Sequence, residues 1–310
     1  MLRKVTLSTF VLCCSMGSHF AMAASAPAVE AKHGMVVTSQ DLATQVGVNI
    51  LRQGGNAIDA AVAVGYAEAV VNPCCGNIGG GGFMTIHLAN GKDTFINFRE
   101  MAPAGASANM YLAADGNLIP GASLYGWKAS GVPGTVMGME TARKEYGKLS
   151  RAQDMAPAIK LAREGYILTR ADTDILDTTV ARFRQDPAVA KIFLRPDGTP
   201  LQPGDRLRQT DLAKTLERIS REGPSAFYKG TFPAAVAKAS AKGGGVIDAA
   251  DFSTYHITEM APLTCTYRGY TFVSAPPPSS GGVTLCETLN ILEGFDLKSM
   301  GFGSAAMVHT

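Results

Sequence analysis

The sequence has little charge. Of 310 residues, 17% are charged, and the formal net charge is +2. So close a balance gives no reason to expect nucleic acid or a strongly acidic membrane as partner. Long apolar runs are missing too. Every run is cut by glycine, proline or charge before the ~20 residues a spanning helix needs, so no membrane span is expected. Glycine is plentiful, at 34 residues, but shows no Gly-X-Y period, which excludes a collagen-like chain. The usual cofactor signatures are also absent. After Gly79 to Gly82, Met84 and Thr85 break the dinucleotide pattern. Neither Gly91-Lys92 nor Gly147-Lys148 has the earlier glycine of a phosphate-binding loop. There is no C-x-x-C and no H-E-x-x-H, and His33, His87, His256 and His309 share no metal-ligand spacing. Ser123 sits in GASLY, without the closing glycine of a nucleophile elbow. No cofactor and no metal are therefore expected, and no serine-hydrolase elbow.

What is present begins with a secretory pattern. Arg3 and Lys4 precede an apolar run from Val5 to Met16, and Ala21-Met22-Ala23 makes a small-residue cleavage site. Residues 1–23 read as a signal peptide and 24–32, rich in alanine and proline, as a disordered mature N-terminus. The expected location is periplasmic or secreted. Four cysteines remain after the signal: Cys74, Cys75, Cys265 and Cys286. They allow three pairings. A bond between neighbours is strained, so a link from the Cys74-Cys75 pair to Cys265 or Cys286 and small buried free thiols both stay open.

The hydrophobic content of 46% and a length of 310 residues suit a chain that buries a large core. The densest information lies between Gly54 and Pro103. Asn56, with Asp59 three residues on, caps a helix that is small or apolar almost all round, so it is buried and able to approach a sheet closely. Pro73 ends it. Two strand-like segments, Phe83 to Ala89 and Lys92 to Phe98, flank Asn90-Gly91, a strong hairpin signal. A two-residue loop would put Ala89 opposite Lys92 and, counting outward, Gly82 opposite Arg99; a bulge would shift this by one. Elsewhere, Gly34 to Val37 reads as a first strand. Thr38 to Asp41 fits a capping box for a helix carrying Leu42, Val46 and Ile50. Helices are expected over 135–146, 156–164, 171–186, 231–242 and 284–292, a further one capped by Thr210, and strands around Arg268-Gly269. Ser304 is placed to cap a last helix, and the absence of a stop signal at Thr310 reads as truncation.

Arg99 is the candidate binding residue. A guanidinium grips a carboxylate through two parallel hydrogen bonds, and glycines opposite would leave room for it. On spacing alone, a strand-end arginine paired with Glu100 or with a surface acid is the simpler account. Ser279 and Ser280, before Gly281-Gly282, offer hydroxyls near a site or only a Pro/Gly loop. Thr85 and His87 alternate with Met84 and Ile86, the pattern of one polar strand face.

The segments AKHGM (31–35), GGNAIDAAVAVGYAEAVVNP (54–73), GNIGGGGFM (76–84), NFREMAP (97–103), GVPGTV (131–136), LAREG (161–165), AFYKG (226–230) and PPPSSGG (276–282) resemble, in order, the γ-glutamyltransferase (glutathione hydrolase) family. The resemblance runs from Lys32 to the end. It implies an α+β fold, a four-layer αββα sandwich of the N-terminal-nucleophile hydrolase type, with residues 33–310 as part of a large subunit. It also implies a precursor that cuts itself, and a small-subunit threonine that attacks γ-glutamyl compounds such as glutathione. Water or an amino-acid or peptide acceptor then takes the γ-glutamyl group. The small subunit would be the partner chain. The arginine of the F-R-E-x-A-P motif, which holds the substrate α-carboxylate, maps onto Arg99. No catalytic residue maps onto this chain: the expected threonine lies beyond Thr310, and Thr310 itself lacks its context. A related acylase, acting on cephalosporins, or a poly-γ-glutamate transpeptidase is the alternative, as is a non-catalytic truncated product.

Overall fold

Helix α1 (Asp41–Arg52) and helix α2 (Ala57–Val71) run into a hairpin of strands β1 (Phe83–His87) and β2 (Asp93–Asn97). The computed structural model describes residues 28–310, so the expected signal and residues 24–27 lie outside the described residues. An irregular stretch with one 3₁₀ turn at Trp127–Ala129 leads to α3 (Thr135–Tyr146) and α4 (Arg151–Glu164). Next come β3 (Tyr166–Ile167), α5 (Arg170–Asp177), α6 (Val180–Phe183), α7 (Pro187–Phe193) and β4 (Arg206–Leu207). They are followed by α8 (Thr210–Glu222), α9 (Ser225–Tyr228), α10 (Thr231–Lys242), α11 (Ala249–Thr254) and β5 (Thr258–Met260). The last elements are β6 (Leu263–Tyr267), β7 (Tyr270–Ser274), α12 (Ser280–Glu293), α13 (Leu297–Met300) and α14 (Ala305–His309). Strands β1, β2 and β5 form one antiparallel sheet in that order, and β3-β4 and β6-β7 form two more. Val36–Thr310 is one compact unit. Residues 28–35 carry neither helix nor strand. Among the described residues no helix is long and apolar enough to cross a membrane.

Helix α2 is the core of this unit. Its Asn56 Oδ1 accepts from the backbone N–H groups of Ile58 (2.9 Å) and Asp59 (3.0 Å), and Asp59 Oδ2 accepts from Asn56 N–H at 2.7 Å. This is the capping box expected from the sequence. Asp59 is fully buried, and its other oxygen takes the N–H groups of Lys148 (2.9 Å) and Leu149 (3.0 Å). One carboxylate thus starts α2 and fastens the turn between α3 and α4. The small residues of α2 serve close approach, but chiefly to helices. Gly47 of α1 sits where a Cβ would lie 2.8 Å from Val64, and Gly65 where one would lie 2.5 Å from Met139 of α3.

Several expectations change. Gly34 to Val37 is no strand: Val37 is 80% exposed, and no described strand pairs with this segment. Gln40, and not Thr38, is the N-cap of α1 and makes no side-chain cap bond: its amide donates to Asp172 Oδ1 at 2.9 Å, and Thr38 Oγ1 donates to the Gln40 carbonyl at 2.6 Å. Helix α4 starts at Arg151 on a Ser150-Gln153 capping box, five residues before the expected start, with Pro157 inside it. The cysteines are bonded as Cys74–Cys75 and Cys265–Cys286. Cys265 on β6 and Cys286 on α12 face each other with Cα atoms 5.9 Å apart. Neither the cross-link between the two pairs nor the free-thiol reading holds, because Cys74 is bonded to its neighbour Cys75 and the packing of β6 on α12 brings Cys265 to Cys286.

The hairpin register is also shifted by one. The loop has three residues, Ala89 to Gly91, closed by Leu88 N–H to the Lys92 carbonyl at 2.9 Å, with Gly91 at φ +82°. Three-residue loops ending in a left-handed glycine are the next commonest hairpin form. Asn90 Oδ1 accepts from Lys92 N–H at 3.0 Å and holds the turn. Gly82 therefore pairs with Phe98, through N–H···O bonds of 3.3 and 3.0 Å, and not with Arg99.

Candidate functional site

Each glycine of the 79–82 run has its own task. The Gly80 carbonyl accepts from Gly134 N–H (2.6 Å) and Thr135 N–H (3.0 Å), so it satisfies open donors at the start of α3. A Cβ on Gly81 would lie 2.5 Å from the Phe98 carbonyl oxygen and 2.9 Å from the Arg99 carbonyl carbon. One on Gly82 would lie 2.9 Å from the Phe98 ring. Gly79 has nothing within 4 Å of its Cβ position and borders a pocket of about 500 Å³. The run presses against the end of β2 and opens at one end into a cavity within the size range of small-molecule sites.

Arg99 lines that cavity. Its backbone is held on both sides. Its N–H donates to Asn97 Oδ1 at 3.0 Å, which turns the chain out of β2. Its carbonyl accepts from Tyr255 Oη at 3.0 Å. Two residues on, Met101 and Val132 exchange backbone bonds of 3.1 and 2.8 Å. The side chain, by contrast, is exposed and makes no ion pair or hydrogen bond with any described residue. Its guanidinium lies 5.9 Å from the centre of the Phe83 ring. The pairing with Glu100 that spacing alone favoured is not made. A fixed backbone carrying an unpaired planar cation is suited to take a carboxylate with two hydrogen bonds.

Two buried tyrosines support this wall. Tyr228 Oη donates to the Pro133 carbonyl at 2.8 Å and accepts from Met137 N–H at 3.2 Å. Tyr255 stacks on it with ring centres 5.6 Å apart. Burial raises both phenols well above their ordinary range, with the Glu100 charge adding to the shift at Tyr255. They stay protonated and keep donating. Sequence reasoning missed both, since nothing local marks a tyrosine as a donor to a distant carbonyl. It also missed Lys128, which lines the same pocket.

The other candidates fall outside this pocket. Ser279 Oγ accepts from Gly281 N–H at 3.3 Å as the cap of α12. His87 Nδ1 meets Asp93 Oδ1 at 2.6 Å across the exposed hairpin face, so the polar-strand reading holds for that residue. Thr310 Oγ1 donates to the Ala306 carbonyl at 3.0 Å. Among the described residues lining the pocket, Ser130 has the one hydroxyl of a serine or threonine, and it donates to the Gly126 carbonyl at 3.4 Å rather than to a base. The site can bind and orient an anion; it contains no nucleophile–base pair.

A family model described as Gamma-glutamyltranspeptidase matches residues 43–310. A glutathione hydrolase proenzyme of Pseudomonas sp. (strain A14) is 53% identical over 306 residues, covering 99% of this chain and 53% of that protein. An acylase ACY 1 proenzyme of Pseudomonas sp. (strain V22) is 42% identical over 282 residues, covering 89% of this chain and 50% of that protein. The crystal structure of Helicobacter pylori gamma-glutamyltranspeptidase matches with a TM-score of 0.88 at 43% identity, covering 91% of this chain and 81% of that chain. The chain spans about half the length of the curated relatives it matches.

Proposed function

The chain belongs to the gamma-glutamyltranspeptidase family and has the family's α+β, N-terminal-nucleophile hydrolase fold, and on that premise we propose that it is the substrate-anchoring part of a γ-glutamyl-transferring enzyme. The whole protein moves the γ-glutamyl group of glutathione and related compounds to water, or to an amino acid or peptide. It does so through a γ-glutamyl-threonine ester formed after self-cleavage of the precursor. The nucleophile lies outside this chain, in a small subunit that is its partner. The amine leaves when the threonine oxygen forms the ester, and water or the acceptor amine then breaks that ester. The mature protein works in the periplasm or outside the cell, as the N-terminal pattern suggests.

One observation carries this reading: the unpaired Arg99 guanidinium, on a backbone held by Asn97 and Tyr255, at the edge of an open pocket. Its role is to grip the α-carboxylate of the γ-glutamyl group, which sets the distance from that carboxylate to the carbonyl under attack. An assay of the full-length protein with a γ-glutamyl anilide tests it, and the absence of anilide release would overturn it. The acylase relative supports a second reading, in which the scissile amide belongs to an acyl-β-lactam. Glutathione left intact beside rapid cleavage of such a compound would favour that alternative.

A further inference from the structure

Lys128 stands in the pocket with Arg99 and has no role in the reading above. Its place is firmly built. The 3₁₀ turn Trp127–Ala129 is wedged by the indole against a glycine turn: a Cβ on Gly243 would lie 1.9 Å from the Trp127 ring, and one on Gly245 2.7 Å from the Trp127 Cβ. The Lys128 carbonyl accepts from Tyr111 Oη at 3.1 Å, and its Nζ donates to the Met110 carbonyl at 3.4 Å. The side chain is half-buried, and no described carboxylate pairs with it. One long bond leaves an ammonium with donors to spare, and a half-buried charge gains from an opposite partner. Glu100 borders the same pocket but is not bonded to Lys128. The pocket therefore holds two unpaired cations on separate segments, one two residues past the end of β2 and one in the 3₁₀ turn.

We infer that Lys128 is a second carboxylate-binding residue of this pocket, which holds the far end of a γ-glutamyl donor whose leaving group itself bears a carboxylate. This rests on the proposed function. Arg99 takes the carboxylate common to all γ-glutamyl compounds. Lys128 takes the one that only a peptide-like leaving group carries, so it selects γ-glutamyl peptides over γ-glutamyl amides of simple amines. Lys128 touches no reacting atom; it is a specificity residue.

The test compares two donors on the full-length processed protein. Glutathione has a leaving-group carboxylate, and γ-glutamyl p-nitroanilide has none. Lys128→Met keeps the stem and removes the charge. Its KM for glutathione is expected to rise about tenfold, the size of one hydrogen bond between charged groups, with KM for the anilide changed less than about twofold. Lys128→Arg recovers most of the loss, and Lys128→Gln stands in if the Met variant folds poorly. Arg99→Ala raises KM for both donors. An equal change with both donors, which a merely structural role through Met110 and Tyr111 would give, overturns the inference, as does no change with either. If the wild-type protein cleaves neither donor, the proposed function falls by itself. Calorimetric binding of glutathione against γ-glutamyl ethylamide then decides Lys128: a wild-type preference for glutathione that Lys128→Met abolishes supports it, and a preference unaffected by the change overturns it.

Discussion

Tyr255 donates its phenolic hydrogen to the carbonyl oxygen of Arg99 at 3.0 Å, across 156 residues of sequence. A residue just after α11 thereby fixes the backbone of the residue that ends the β1-β2 hairpin. The same hydroxyl lies 2.0 Å from where a Cβ on Gly134 would be. The end of β2, the start of α3 and the segment after α11 meet at this one point.

Removing that hydroxyl loosens the arginine without touching its charge. Tyr255→Phe is expected to cost about 0.5–1.5 kcal/mol of stability for one lost hydrogen bond, read as a lower thermal midpoint. It should raise KM for a γ-glutamyl anilide several-fold. A lower midpoint with unchanged KM would separate the Tyr255 bond from substrate binding.

Removing the charge itself has a larger effect on binding. Arg99→Ala should raise KM of the full-length protein by about 10- to 100-fold, the worth of a hydrogen-bonded charge pair. The effect falls mainly on KM because the carboxylate is held in ground and transition states alike. Arg99→Lys should recover part, since an ammonium cannot reproduce the two-point grip. Wild-type kinetics in Arg99→Ala would remove Arg99 from the site.

The glycine run separates packing from access. Gly81→Ala drives a Cβ to 2.5 Å from the Phe98 carbonyl oxygen, where backbone and not a flexible side chain must yield. A loss of about 1–3 kcal/mol is expected from such overpacking. Gly79→Ala meets nothing within 4 Å and should leave stability nearly unchanged. Chemical denaturation of the two variants checks this contrast, and equal losses would contradict it.

Asp154 on α4 predicts a pH dependence. It is fully buried, and neither carboxylate oxygen has a hydrogen-bond partner. Burial, with the nearby charge of Asp59, pushes its carboxyl from an ordinary 3.8 up to about 7. The folded state thus holds this proton more tightly than the unfolded chain does. The resulting stability is present in full below about 3.8, is lost as pH rises, and is gone above about 7. Unfolding midpoints between pH 4 and pH 8, a window of about 1.4 kcal/mol per pKa unit, should fall more steeply in the wild type than in Asp154→Asn. Parallel curves would show that the carboxyl is not protonated when buried.

The Cys265–Cys286 bond closes a loop of 21 residues between β6 and α12. A loop of that length constrains the unfolded chain by about 3 kcal/mol. Cys286→Ser should lower the thermal midpoint by several degrees and remove its sensitivity to reductant at this site. No change in midpoint would mean that β6, β7 and α12 hold together without the bond.

Local chemistry was readable from sequence wherever one short segment contains both partners of an interaction. Asn56 and Asp59 are three residues apart, so the capping box and the buried helix α2 followed directly from sequence. The bounds of α3 (Thr135–Tyr146) and α10 (Thr231–Lys242) were legible for the same reason, each ended by a glycine. Arg99 stood out because a lone cation follows an apolar strand, and its motif names the family. The tertiary structure decided what depends on distant pairs. A single extra loop residue moved Gly82 from Arg99 to Phe98, because strand register is set by the turn and not by the residues further out. The cysteine pairing depended on β6 and α12 being packed face to face. That Arg99 is unpaired, that Tyr255 holds its backbone, and that Lys128 shares its pocket are facts about segments 29 to 156 residues apart. No local pattern encodes them, because they arise only when hairpin, 3₁₀ turn and the segment after α11 close on one another.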